Sequence, residues 1–248
     1  MQGEYKNFNP HISVDCVIFG FYEDSLKVLL IERDSLEDNS LKNKKVYKLP
    51  GDLIRRMEDL NDAAKRVLEE LTGLTNIYLK QFAVFGKPDR LKSKNDREWL
   101  EQTSGLTISR VVTSAYYSLI KIHNSKKKNA IKNNASWHCV SELPHLAFDH
   151  KAIIRKGIDN LRKTIRYEPL LFEMLPYKFT IRQIQNLYEV ILGQELDNRN
   201  FRKKLLKAPY VEPLEEKQKG VAHKPARYYK FNKRKFRESR KDALFFNF

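Results

Sequence analysis

The segment Pro50–Leu74 constrains the fold most strongly, because it passes from a turn to a helix within a few residues. A Pro-Gly pair at its start is typical of a turn. From Asn61 onward, apolar residues recur three and four residues apart, which predicts an amphipathic helix with one buried face. Gly73 stands where such a helix would end, and Asn61 or Asp62 is placed to cap its start. The face predicted to be buried consists of Ala64, Val67, Leu68 and Leu71.

Strands flank this helix in the first two thirds of the chain. Runs of β-branched and aromatic residues predict a hairpin with a turn at 23–25, two further long strands, a short strand and a closing helix. These elements are Ser13–Phe21, Leu26–Arg33, Ile77–Phe85, Val111–Ile122, Trp137–Val140 and the helix Asp149–Ile165. Three polar stretches are predicted as loops, insertions or linkers, namely Asp34–Lys45, Gly86–Arg110 and Asn124–Asn134. Residues 1–165 therefore predict mixed α and β structure around one sheet.

The composition changes after Thr164, where short helices replace long strands. Thr180 is a good N-cap and Gln183 follows it at the spacing of a capping box, while Gly193 ends the same helix. Asp197 is placed to cap the next helix, so two helices follow one another at helix-turn-helix spacing. The predicted elements are helices at Glu168–Leu175, Ile181–Leu192 and Asn198–Lys207, and β pieces near Tyr210–Leu214 and Tyr228–Phe231.

The net charge of +16, from 47 Lys and Arg against 31 Asp and Glu, favours a polyanionic partner. The excess is concentrated after residue 164, where nineteen basic residues meet ten acidic ones. No run of eighteen apolar residues predicts a membrane-spanning helix, and the first residues lack the pattern of a signal peptide, so we expect a cytoplasmic protein. Cys16 and Cys139 are expected to be buried free thiols rather than a disulfide or metal site.

The segment Pro50–Leu74 resembles the Nudix box, the loop–helix–loop signature of the Nudix superfamily. Aligned on Gly73, the chain keeps the arginine of the signature at Arg66 and the earlier glutamate at Glu58. Asp52 takes the place of the box glycine, one residue after Gly51. The positions compared with the signature are Gly51, Asp52, Glu58, Arg66, Val67, Glu70, Leu71 and Gly73.

Two departures from the signature bear on activity. In hydrolytic Nudix enzymes three helix glutamates bind divalent cations, and the resemblance places them at Val67, Glu70 and Leu71. Residues at i, i+3 and i+4 share one helix face, but valine and leucine offer no ligand for Mg²⁺. We therefore expect no metal site, no cofactor and little or no hydrolysis, with Arg66, Glu58 and Glu70 pairing as a structural bracket. The alternative is a Nudix hydrolase for a nucleoside diphosphate derivative, with metal held by Glu58, Asp62, Glu69 and Glu70.

The resemblance extends to the Nudix-related transcriptional regulators through Phe82–Arg90, Arg110–Ile120 and Trp137–His150. It implies an α+β chain: a Nudix-like α/β/α sandwich with a mixed sheet at 1–165 and a small winged helix-turn-helix domain at 166–248. Relatives of this kind sense ADP-ribose or sugars such as arabinose. A sugar-like or ADP-ribose-like effector is thus expected, while a charged insertion at Leu91–Ser109 departs from the family pattern. The candidate effector-binding residues are Arg33, Phe85, Arg90, Arg110 and Tyr116.

The partners implied are a double-stranded DNA operator and a second copy of the chain. Arg and Asn on a recognition helix can read base edges, and lysines suit phosphates. The candidate DNA-binding residues are Asn198, Arg199, Arg202, Lys203 and Lys207 on the helix, and Lys217, Lys219, Lys224 and Arg227 on the hairpin. A general RNA- or protein-binding module with a solvated basic surface remains the other interpretation of this region.

Overall fold

The computed structural model describes residues 7–22, 24–33, 45–122, 134–220 and 224–239. Two compact units are present, Met1–Ile158 and Asp159–Phe248, so the division falls inside the helix predicted at 149–165. Three features of the sequence lie wholly or partly outside the described residues: the turn residue Glu23, the polar loop up to residue 44, and the linker at 124–133.

The first unit is built on one mixed sheet, as predicted. Its strands are β1 (Phe8–Tyr22), β2 (Ser25–Glu32), β3 (Tyr47–Lys48), β4 (Gly51–Arg55), β5 (Lys80–Phe85), β6 (Val112–Lys121) and β7 (Ala135–Cys139). The order is β3-β2-β1-β6-β5, and in addition β4 pairs with β1 and β7 with β2. The predicted β1–β2 hairpin is antiparallel, whereas β1 and β6 run parallel. Because β1 is long, it pairs with β2 along one half and with β4 along the other.

Helices cover both faces of this sheet. Val14, Cys16 and Ile18 alternate along β1 toward α1 (Leu60–Thr72), where they pack with Val67 and Leu68. The residues between them face the opposite way, toward α3 (His150–Thr164), the helix predicted at 149–165. There, Gly157 lies so close to Phe19 that a Cβ atom would be 3.3 Å from its ring. Since successive strand residues face opposite sides, the unit is the predicted sandwich.

The ends of α1 are fixed by local hydrogen bonds. The predicted cap at Asn61 or Asp62 is wrong, because Asp59 is the N-cap and its carboxylate accepts from the Asn61 N–H at 2.7 Å. Gly73 ends the helix in the left-handed conformation, as predicted, with φ of 70°. Of the helices that the structure describes, none is long and apolar enough to cross a membrane.

The stretch predicted as a loop or insertion at 86–110 is largely helical. A short 3₁₀ turn (Pro88–Leu91) is followed by α2 (Lys94–Ser104). Ser93 caps the start of α2, and Gly105 ends it with φ of 65°. Only Ser104 of this helix is buried, so α2 lacks the apolar periodicity on which the sequence prediction relied.

The two cysteines are free, as expected. Cys16 is buried between β1 and α1, and burial raises the pKa of its thiol. The expectation of burial is wrong for Cys139, which is half-buried at the end of the edge strand β7.

The second unit contains the three predicted helices and the predicted hairpin. They are α4 (Leu170–Met174), α5 (Ile181–Leu192), α6 (Asn198–Lys207), β8 (Val211–Lys217) and β9 (Arg227–Phe231), followed by α7 (Lys233–Ser239), which the sequence did not predict. Thr180 and Gln183 form the predicted capping box, and Asp197 caps α6. Phe172 stacks on Phe231 at 4.4 Å between ring centroids, which joins α4 to the hairpin.

Candidate functional site

The Nudix-like segment is held together by Arg66. Its Nε and Nη2 atoms donate to the two carboxylate oxygens of Glu58 at 2.6 and 2.8 Å, and Nη1 donates to Glu70 at 3.0 Å. Nη2 also donates to the Leu53 carbonyl oxygen at 3.2 Å, which ties α1 to β4. The hydrogen bonds from Arg66 lower the pKa of Glu58 despite its partial burial. The predicted bracket of Arg66, Glu58 and Glu70 is therefore present.

The same helix face does not suit a divalent cation. Val67 is fully buried and Leu71 half-buried, and both pack into the apolar core. Glu70, the acid that remains on this face, accepts from Arg66 and from Arg55, the latter at 3.2 Å. Mg²⁺ needs carboxylates that are free to ligate it, so these residues do not fit the metal that Nudix hydrolases use.

The acids of the alternative metal site are also occupied or dispersed. Asp62 pairs with Lys65 at 3.0 Å, and Glu69 lies on the exposed side of α1. Within the described part of the chain, no group of three or more His, Cys, Asp or Glu side chains is arranged to hold a metal ion.

A cavity of about 350 Å³ opens in the first unit beside this segment. Its walls come from β1, β2 and β4 of the sheet, from the 3₁₀ turn, from α2 and from the start of α3. Three cations, Arg33, Lys48 and Arg90, line it together with carboxylates and aromatic rings. The other polar and aromatic lining side chains include Asp15, Asp52, His150, Phe8, Trp99 and Phe148.

A buried charge network forms one wall of the cavity. Asp15 faces His150 Nε2 at 3.4 Å and Arg90 Nη2 at 3.6 Å, and Arg90 also binds both oxygens of Asp149 at 2.8 and 2.9 Å. His150 Nδ1 accepts from the Leu49 N–H at 2.9 Å, which leaves the ring proton on Nε2, toward Asp15. Burial raises the pKa of Asp15, but His150 and Arg90 outweigh it and lower the pKa to about 2.

Gly51 allows the box segment to approach this network. It pairs with Asp15 across β1 and β4, and a Cβ atom there would lie 2.0 Å from Asp15 Oδ1. A side chain at residue 51 would thus displace the buried carboxylate, which gives the retained glycine a physical reason.

Trp99 of α2 forms a second wall with two cations. The Arg33 guanidinium lies 5.3 Å and the Lys48 Nζ 5.6 Å from its ring centre. Arg33 also pairs with Asp96 at 2.5 Å, and Lys48 donates to the Gly51 carbonyl oxygen at 2.8 Å. Burial lowers the pKa of Lys48. Cation–π contacts of this kind hold both positive groups against the ring.

Phe148 completes the cavity in a strained conformation. Its φ of 56° lies in the left-handed region, which is costly for an aromatic residue. Its N–H donates to Asp96 Oδ2 at 3.0 Å, and its ring packs edge-on against Trp99. Such strain is typical of binding sites, where surrounding contacts hold the backbone.

The structure brings two of the five predicted effector-binding residues, Arg33 and Arg90, to the cavity. Tyr116 lies on the α1 side of the sheet, where its hydroxyl donates to Asn61 Oδ1 at 3.1 Å. Arg110 donates to the Gly86 carbonyl oxygen at 2.9 Å, and Phe85 is half-buried on the edge strand β5. The sequence prediction did not include Asp15, Lys48, Trp99 or Phe148, and it gave His150 no role.

In the second unit, α5 and α6 are joined by a turn that Gln185 stabilises. Its buried amide nitrogen donates to the Leu196 carbonyl oxygen at 2.9 Å and to Asn198 Oδ1 at 2.7 Å. Phe201 and Leu205 are buried beneath α6, as predicted. The candidate DNA-binding residues of this helix are exposed, namely Asn198, Arg199, Arg202, Lys203 and Lys207.

The hairpin of β8 and β9 presents more exposed cations. Lys217 and Arg227 lie directly opposite one another across the two strands. Like charges at such a pair destabilise a hairpin in water, whereas a polyanion would stabilise it. Lys219 and Lys224 are exposed near the same end. This arrangement suits a nucleic-acid interface.

Comparisons with known proteins agree with both parts. Residues 171–231 match the family model of the NrtR DNA-binding winged helix domain. The ADPR responsive transcriptional repressor NtrR of Acinetobacter baylyi is 29% identical over 227 residues, which are 90% of this chain and 82% of that protein. An ADP-ribose pyrophosphatase of Methanocaldococcus jannaschii is 29% identical over 147 residues, 59% of this chain and 72% of that protein.

A solved structure shares the fold along nearly the whole chain. NrtR of Shewanella oneidensis in complex with a 27mer DNA superposes with a TM-score of 0.65 at 23% identity, covering 91% of this chain and 95% of that one. The sheet and α1 of the first unit, with the box segment held by Arg66, therefore form a Nudix-like fold, and the second unit contains a winged helix that matches the NrtR DNA-binding type.

Proposed function

We propose that the Nudix-type domain binds a sugar-containing metabolite in the cavity and does not hydrolyse it. One observation carries the proposal: two of the three cation-binding positions on α1 are the core residues Val67 and Leu71, and Arg66 neutralises the third. Without clustered metal, little is available to neutralise charge on a diphosphate or to activate water. The cavity is then a recognition site.

The chemistry of the cavity supports an effector with a sugar and phosphate groups. Arg33, Lys48 and Arg90 supply positive charge, and carboxylates such as Asp15 can accept hydrogen bonds from hydroxyl groups. The volume of about 350 Å³ falls within the range of small-molecule sites. The names of the two relatives both refer to ADP-ribose, which makes this molecule the first to test and free sugars such as arabinose the second.

On the DNA side, we propose a homodimer on a nearly palindromic double-stranded operator. The predicted contacts are Arg199, Arg202, Lys203 and Lys207 of α6 and Lys217, Lys219, Lys224 and Arg227 of the hairpin, all of them exposed. Asn198, also exposed, begins α6 and accepts a hydrogen bond from Gln185. We also propose that the functional boundary between the two domains is 165/166, just after α3. Since it acts on DNA, we place the protein in the cytoplasm.

An effector that favours one dimer geometry would change the affinity of the protein for the operator, by the difference between its affinities for the two geometries.

Calorimetric titration with ADP-ribose, ribose and arabinose tests the effector proposal. We expect one of these to bind, and Trp99→Ala to weaken its affinity at least ten-fold because that change removes one wall of the cavity. Tyr78→Ala is the control, since Tyr78 is 80% exposed on the same domain and outside the cavity. Binding that is equally strong in wild type and Trp99→Ala would place the effector elsewhere.

The absence of hydrolysis needs its own measurement. Incubation of the wild-type protein with ADP-ribose and Mg²⁺ or Mn²⁺ is expected to yield no AMP above background. Turnover near about 1 s⁻¹, the low end for ordinary enzymes, would support the alternative hydrolase instead. A variant with Arg66 replaced by Ala controls for a contaminating enzyme, because any activity that belongs to this chain should respond to that change.

A further inference from the structure

The solvent face of α6 combines four unpaired cations with one exposed leucine. The helix carries no acidic residue, and within the described residues no carboxylate pairs with Arg199, Arg202, Lys203 or Lys207. Leu206 is 44% exposed, although Leu205 beside it is fully buried. A large apolar side chain surrounded by cations indicates a partner that is both anionic and partly apolar.

Asn198 is poorly placed to read a base. A bidentate contact with adenine requires a free carbonyl oxygen on the asparagine side chain. That oxygen already accepts hydrogen bonds from Gln185 Nε2 at 2.7 Å and from Arg182 Nη1 at 3.4 Å. Asn198 is therefore a positioning residue that fixes the start of α6 on the turn. Base recognition then depends on the exposed residues that follow it along the helix.

Four exposed residues that follow Asn198 lie on one face of α6. Arg199, Arg202, Lys203 and Leu206 follow one another at i, i+3, i+4 and i+7, so they lie together on the side away from Phe201 and Leu205. Recognition helices of other DNA-binding domains read the major groove with residues at this spacing. Leu206 is then the apolar member of the set.

We propose that Leu206 contacts the 5-methyl group of a thymine in the major groove and thereby determines part of the operator sequence. Thymine is the base whose edge in that groove carries a methyl group, and apolar side chains recognise it by contact. In this arrangement the cations around Leu206 contact phosphates and guanine edges. These contacts place the leucine against the bases rather than in solvent. The proposal rests on DNA binding by the winged helix.

The test begins with operator sequences selected by wild-type protein from a random duplex library. Each conserved thymine is then replaced by deoxyuridine, which removes only the methyl group. At one thymine in each half-site we expect the replacement to weaken wild-type binding about four-fold, the contribution of one buried methyl group. Leu206→Ala is expected to weaken binding to the thymine operator and to be indifferent to deoxyuridine at that position.

Lys203→Gln is the matched control on the same face of α6. It should weaken binding to the operator, but replacing the thymine by deoxyuridine should weaken its binding by the same factor as in wild type. A deoxyuridine penalty that is equal in wild type and Leu206→Ala at every thymine would overturn the proposal. The proposal would also be overturned if Leu206→Ala, without DNA, became monomeric while its melting temperature stayed unchanged. Leu206 would then contact a second copy of the chain. Failure of the wild type to select any sequence would instead contradict the DNA-binding function itself.

Discussion

Asp15 shows what a single residue contributes that the sequence could not reveal. In the sequence it interrupts an apolar strand, and its partners Arg90 and His150 lie far along the chain. The pairing of β1 with β6, the pairing of β6 with β5 and the position of α3 bring the three together. The bracket formed by Arg66 was predictable, because its partners lie within one helix and the preceding loop and the resemblance supplied their spacing.

The ionisation of Asp15 predicts how stability depends on pH. Folding lowers its pKa from 3.8 to about 2, so the ionised carboxylate stabilises the folded state fully above about pH 4. That contribution, about 2 kcal/mol for a shift of this size, is lost as the pH falls toward 2. Asp15→Asn should therefore be less stable than wild type at pH 6 by at least this amount, and the difference should narrow at pH 3.

Urea unfolding of both proteins at the two pH values measures this difference. Asp62→Asn is the control, because the Asp62 side chain is 68% exposed and should contribute little at either pH. A gap between wild type and Asp15→Asn that is the same at pH 3 and pH 6 would contradict the assigned cause.

At the scale of elements, caps and apolar periodicity were the informative signals. α5 has a capping box, a buried stripe and a terminal glycine, and its predicted bounds are those of the structure. α2 has a serine cap and a glycine end but buries little of its surface, so periodicity did not identify it. Its side chain Trp99 is nevertheless central to the cavity, which explains why the sequence placed only part of the effector site.

The capping box of α5 gives an element-scale prediction. Thr180 accepts a hydrogen bond from the Gln183 N–H, and its own N–H donates to the Gln183 side chain at 2.8 Å. Thr180→Ala removes the first of these and should lower the free energy of unfolding of the winged-helix domain by about 1 kcal/mol. Thr180→Ser keeps the hydroxyl and should stay within a few tenths of wild type in chemical unfolding. Equal losses in both variants would attribute the effect to packing of the Thr180 methyl group.

For the whole molecule, the charge of +16 indicates a partner class but not a binding mode. The structure adds that the cations of α6 and of the hairpin project from a unit matched by a DNA-binding family model. A solvated basic surface and a DNA interface differ in one measurable quantity, the number of counterions released on binding.

That difference predicts the salt dependence of operator binding. Each lysine or arginine that contacts a phosphate contributes about 0.9 to the slope of log Kd against log salt concentration. Replacing Lys217 and Arg227 together by Gln should therefore reduce the slope by about 2 for each chain bound. The replacement should weaken binding to all DNA sequences alike, because phosphate contacts carry no sequence information.

Lys65→Gln on α1, whose side chain is 68% exposed, is the control and should leave the slope unchanged. Fluorescence anisotropy between about 50 and 200 mM salt measures both slopes. If Lys65→Gln and the hairpin variant lower the slope equally, the attraction is a diffuse effect of net charge and the hairpin is not a wing.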